Sequence, residues 1–179
     1  PRGFGVPFRF YDEALDRVVT TACGQARALC VQHGGTEGAC ATAAAWCTAD
    51  PSAGYPADSR TLRAFIDDAL TQPEAIADSQ VRWAAMDMVR SLFCLLPLDA
   101  AFAAKLDARV AEVFGSERVR LRSSSNAEDL PGFSGAGLYS SLSANRPDEP
   151  ASGRICEVWA SAWNWRAVEE RTFWNVDQA

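Results

Sequence analysis

A chain of 179 residues with 48% hydrophobic and 22% charged side chains is long enough for one sizeable or two small packed domains, and too apolar for general disorder. Its formal charge of -6 argues against a nucleic-acid backbone as partner of the whole surface, while a local basic pocket for a small anion stays open. No apolar run is long enough to span a bilayer, no secretory leader pattern is present, and a start at Pro1 without Met reads as a chain processed or cut from something longer.

Residues 1–10 (PRGFGVPFRF) read as an extended opening segment punctuated by Gly and Pro. From Asp12 onward, Leu15, Val18, Val19, Ala22, Ala26, Leu29 and Cys30 recur at helical spacing and predict a first helix. A second is expected over 38–47, making a helical hairpin over about 12–48 with His33, Gly34 and Gly35 at the turn. Cys23, Cys30, Cys40 and Cys47 form two C-x6-C pairs placed symmetrically about Gly35. Seven residues is two helical turns, so each pair shares a face. An antiparallel hairpin sets Cys23 opposite Cys47 and Cys30 opposite Cys40, which suits two disulfides. Buried thiols on apolar faces are the alternative, and a zinc site is a third, although C-x6-C is not a usual zinc spacing. Cys94 and Cys156 fall in helical contexts and read as core thiols, with a third bridge left open. His33, the single histidine, reads as a solvated turn residue rather than a catalyst.

A loop is expected over 49–59, then a helix over 60–70 capped by Asp58 or Ser59 and ended at Pro73. A longer helix over about 76–95 carries the stripe Trp83, Met86, Val89, Phe93 and Leu96, which reads as core. Another opens at Leu98 and Asp99, with Phe102, Leu106, Val110, Val113 and Phe114 on one face, and stops at Gly115. Arg118, Arg120 and Arg122 then alternate with Val119 and Leu121, the period-two pattern of a half-buried strand. Residues 123–137 are rich in Ser, Gly, Asn and Pro, residues 138–143 return as a second strand, and 145–153 is a loop. Ile155, Val158, Trp159, Ala162, Trp163 and Arg166 mark a final helix to about residue 172. The four tryptophans from Trp159 to Trp174 fit core positions better than sugar stacking. The fold class read from this order is α+β: a mainly helical part over 1–115, then a lobe over 116–179 with a small antiparallel hairpin and a helix.

Chemistry concentrates in RLRSSSNAEDLPGFSGAG. Guanidinium groups at a strand end, followed by hydroxyls and by glycines that expose backbone N–H, are the parts of an anion-binding loop. Glu128 and Asp129 oppose a phosphate unless they turn outward, bind a cation or pair with an arginine. By composition alone an ordinary surface loop competes with this reading.

The run VRLRSSSNAEDLPGFSGAGLYSSL resembles the signature of the PEP/pyruvate-binding, ATP-grasp-like domain of phosphoenolpyruvate synthase, pyruvate phosphate dikinase and their relatives, where VRSS-x-x-AEDLP precedes a stretch ending in AG. ICEVWASAWNWRAVEER is similar to the helix that follows, and PRGFGVPFRFYDEAL to a segment near the domain start. The resemblance implies one lobe of an ATP-grasp-like nucleotide-binding domain. It assigns Arg122 to the nucleotide phosphates, Gly137 to a backbone lying along the nucleotide and, by position, Ser123, Ser124, Ser125 and Ser141 to the hydroxyl cradle. It also implies ATP with Mg2+, a glycine-rich lysine segment before Pro1, and Mg2+ ligands and a phosphohistidine domain beyond Ala179. The chain is thus expected to hold about half of an ATP site, inactive alone, within an ATP-dependent phosphotransferase. Its partners are then nucleotide and the remaining domains of the parent. The cysteine pattern points to an oxidising, extracytoplasmic compartment, and free thiols would instead indicate the cytoplasm. A non-catalytic, disulfide-stapled scaffold or partner-binding module is the competing reading.

Overall fold

The computed structural model of the chain describes residues 2–48, 59–124, 129–130, 133–135, 137–145 and 149–176. Helices come first: α1 (Arg9–Leu15), α2 (Cys23–Gln32), α3 (Glu37–Cys47), α4 (Leu62–Thr71), α5 (Pro73–Ala77), α6 (Ser79–Leu95) and α7 (Ala100–Phe114). The strands β1 (Val119–Arg122), β2 (Asp129–Leu130), β3 (Phe133–Ser134) and β4 (Ser141–Ala144) follow. Helix α8 (Ala151–Ala160), a 3-10 turn (Ser161–Trp163) and α9 (Trp165–Phe173) close the order. The expected α+β class is the class observed. Of the loop expected over 49–59, residues 49–58, with Asp58 as a cap, lie outside the described residues. The chain divides into two compact units, Tyr11–Leu96 and Pro1–Phe10 with Pro97–Ala179.

In the Tyr11–Leu96 unit, α6 is the central helix, with α2, α3, α4 and α5 packed on it. Ala84, Ala85, Met86, Asp87, Met88 and Val89 are buried in succession, so this helix is covered nearly all round rather than along one stripe. Both expected bridges between α2 and α3 are formed, Cys23 to Cys47 and Cys30 to Cys40. No cysteine is free: Cys94 and Cys156, expected as core thiols, are disulfide-bonded as well. Thr36 caps α3 by accepting from the Ala39 amide at 3.2 Å, and Arg27 pairs with Glu37. His33 is not simply solvated, because its Nδ1 lies 2.8 Å from Oδ2 of the buried Asp87 on α6.

The helix expected from Asp12 to Cys30 is broken between α1 and α2. The Val19 amide donates to the Arg60 carbonyl at 2.9 Å, the Leu62 amide donates to the Arg17 carbonyl at 2.9 Å, and Val18 forms an antiparallel bridge with Thr61. That pairing takes the backbone out of helical geometry. Helix α4 starts two residues later than expected, capped by Thr61 at 3.2 Å from the Ala64 amide. The helix expected from about residue 76 is preceded by α5 and interrupted at Asp78, which caps α6 through the Gln80 amide at 2.8 Å.

In the other unit, Asp99 caps α7 through the Phe102 amide at 2.7 Å, and α7, which the sequence reading grouped with the preceding helices, packs on α8. Gly115 ends α7 at φ 61°, a conformation that favours glycine. Phe102, Leu106, Val110, Ala144, Ala151 and Ile155 form the core, with Val6, Phe10, Val119, Leu121 and Trp159 packed against it. The opening segment therefore contributes to this core, and the rings of Phe10 and Phe102 stack at 4.2 Å. Helix α8 begins at Ala151, inside the stretch expected as loop, because Asp107 on α7 accepts from the Ser152 amide at 2.9 Å and caps it from a distance. The single helix expected to residue 172 is interrupted by the 3-10 turn, after which Asn164 caps α9 through the Ala167 amide at 2.8 Å.

Candidate functional site

The ribbon β1–β4 follows directly from its sequence. Val119 and Leu121 turn toward the Phe102 core, so period-two geometry turns Arg120 and Arg122 outward, and both are exposed. A slip by one residue would bury both guanidiniums and expose the apolar pair, which fixes the register. That antiparallel register pairs Arg120 with Ser143 and Arg122 with Ser141. Two arginine–serine rungs thus occupy the outer face. Arg120 Nη1 donates to Ser143 Oγ at 3.2 Å. Among the described residues no carboxylate pairs with Arg122.

One end of the ribbon is tied down by Asn145, whose left-handed backbone at φ 73° turns its amide to the carbonyls of Gly115 and Glu117, at 3.0 and 2.6 Å. The Glu117 carboxylate is held by Arg2 at 2.8 Å. At the other end, Ser123 and Ser124 lead into the serine-rich loop, and β2 and β3 form a short antiparallel pair within it. Ser125 and Glu128 lie outside the described residues.

The returning chain turns at Gly137, which is exposed and has φ 79°. A Cβ there would meet nothing within 4 Å, so conformation rather than space requires glycine. The turn is anchored from α9 and its cap. The Leu138 amide donates to the Gly135 carbonyl at 3.0 Å, Leu138 is buried against Ala167, and its carbonyl accepts from Asn164 Nδ2 at 2.5 Å. The buried Arg171 donates to the Ala162 carbonyl at 2.7 Å and reaches the Tyr139 hydroxyl at 3.3 Å.

The fold therefore places Arg122 and Ser141 opposite each other in the strand register, with Ser123, Ser124 and Gly137 on the connected loop. Sequence reasoning did not single out Arg120 and Ser143, though the alternation of arginines placed the former on the same face. It also passed over Asn164 and Arg171, whose only local signal was an Asn before a helical run. Among the described residues no group of three or more His, Cys, Asp and Glu is disposed to hold a metal ion. No described helix is long and apolar enough to cross a membrane. A family model described as pyruvate phosphate dikinase, AMP/ATP-binding domain, matches residues 52–178. The ribbon, the Gly137 turn and α9 fall inside this match, and the stapled hairpin α2–α3 falls before it. No solved structure matches the chain.

Proposed function

The chain belongs to the pyruvate phosphate dikinase AMP/ATP-binding domain family, and we propose that the β1–β4 ribbon and the Gly137 turn form the polyphosphate side of its ATP site, serving phosphoryl transfer. The observation that carries this reading is the Arg122–Ser141 rung: an exposed arginine paired in register with a serine at the mouth of a serine- and glycine-rich loop. A guanidinium keeps its charge at any working pH and offers donors in a fork that matches phosphate oxygens. Ser123 and Ser124 add hydroxyls, and Gly137 leaves its backbone open to a close approach. Phosphoryl transfer asks little covalent chemistry of the protein, so these groups act by positioning the polyphosphate and balancing charge as the phosphoryl group departs. Among the described residues no cluster of three or more His, Cys, Asp and Glu is disposed to hold a metal ion, and in this reading the Mg2+ ligands, like the lysine segment and the phosphohistidine domain, come from other parts of a parent chain.

Calorimetric titration of the full-length protein with Mg-ATP tests this. Arg122→Ala is expected to weaken binding about 10- to 100-fold, matching the roughly 1.5–3 kcal/mol of a charge-assisted hydrogen bond. Unchanged affinity would overturn the assignment.

The oxidised cysteines favour a second reading, a non-catalytic module working in an oxidising, extracytoplasmic compartment. The same titration bears on the two, since a module kept only as a scaffold is expected to show no saturable binding of Mg-ATP and no dependence on Arg122.

A further inference from the structure

We infer that Arg120 is a second polyphosphate-contacting residue, and that it makes the site distinguish ATP from AMP. The inference rests on the assignment of Arg122 to phosphate and extends it one rung along the ribbon. Arg120 and Arg122 are two apart on one strand, so their side chains leave the same face. The strand rise separates their Cα atoms by roughly 6.6 Å, which lets the two side chains lie against successive phosphates of one polyphosphate chain. The half-buried back face, where Val119 and Leu121 pack on the core, prevents either arginine from rotating away by a register shift.

The Arg120 guanidinium is both oriented and available. One of its five N–H donors is engaged by Ser143 Oγ at 3.2 Å, which sets the direction of the group, and the others remain for a ligand. Among the described residues no carboxylate neutralises it, and Glu117, the acidic residue just before the strand, is already held by Arg2. Two like charges on successive outward-facing rungs repel each other until an anion lies across both. A triphosphate supplies that anion along its length, whereas AMP satisfies one rung and leaves the other unmatched. Ser143 is then a positioning residue, acting through Arg120.

The test compares ATP and AMP, each with Mg2+, on the full-length protein carrying Arg120→Gln, Arg122→Gln or Ser143→Ala, with unchanged circular dichroism establishing that each variant is folded. Arg120→Gln is expected to weaken ATP about tenfold while AMP affinity stays within about twofold. Arg120→Lys should keep part of the preference, since charge survives without the fork. Ser143→Ala should reduce the ATP-to-AMP ratio less than Arg120→Gln does. An unaltered ratio in Arg120→Gln, whether neither nucleotide weakens or both weaken alike, overturns the inference. If Arg122→Gln still weakens ATP in that case, the phosphate assignment of the ribbon survives. If Arg122→Gln is also silent, that assignment falls as well.

Discussion

Gly35 shows how tightly single positions are specified in the stapled hairpin. A Cβ there would lie 2.5 Å from Cys40 Sγ and 2.9 Å from both Cys30 Sγ and Trp83 Cζ3. The neighbouring Gly34, at φ 104°, makes the turn, so Gly35 is needed for closeness and not for conformation. Gly35→Ala is expected to destabilise the Tyr11–Leu96 unit by about 1–3 kcal/mol, the usual cost of overpacking a filled core. Urea unfolding with an unshifted midpoint would contradict this. The cysteine partners around Gly35 were legible because their symmetry is local in sequence. The His33–Asp87 contact was not, since its two residues are 54 apart, one in the turn after α2 and the other on α6. The Arg122–Ser141 pair lies between these cases. Alternation set the face of Arg122 and family resemblance supplied its meaning, but only the observed register shows which hydroxyl stands opposite.

At the level of elements, local periodicity located most helices, and contacts from elsewhere in the chain decided where they break. The stretch between α1 and α2 keeps apolar residues at helical spacing, yet residues 17–19 pair with 60–62. A backbone pairing of that separation leaves no mark in a short window of sequence. Helix α8 likewise begins where Asp107, 45 residues away, satisfies its first turn. The hairpin α2–α3 is where covalent chemistry adds most. The two bridges span sequence separations of 24 and 10, and in the chain-entropy model each contributes about 3 kcal/mol, the outer somewhat more than the inner. Replacing Cys23 and Cys47 together by Ala is therefore expected to lower the urea midpoint more than replacing Cys30 and Cys40 together. Equal stability of both variants and the parent chain would show that the bridges are ornamental.

Across the whole molecule, two features sit in different units. The matched stretch holds the ribbon and its supporting helices, while the disulfide-stapled hairpin precedes it. A chain of net charge -6 would repel a polyanion over most of its surface. Nucleotide binding would thus depend on a local concentration of positive charge, and under the proposed assignment that charge is Arg120 and Arg122 on the outer face of β1. The grouping of α7 with the strands was hidden from the sequence, where its apolar face looks like those of the preceding helices. Its partners only become visible once β4 and α8 have folded against Phe102, Leu106 and Val110. The most direct measurement is a titration of isotope-labelled full-length protein with Mg-ATP, followed by backbone amide shifts. The account predicts that residues 122–124 and 137–141 move together and saturate with the ligand. Shifts that saturate elsewhere while both of these stretches stay still would contradict it.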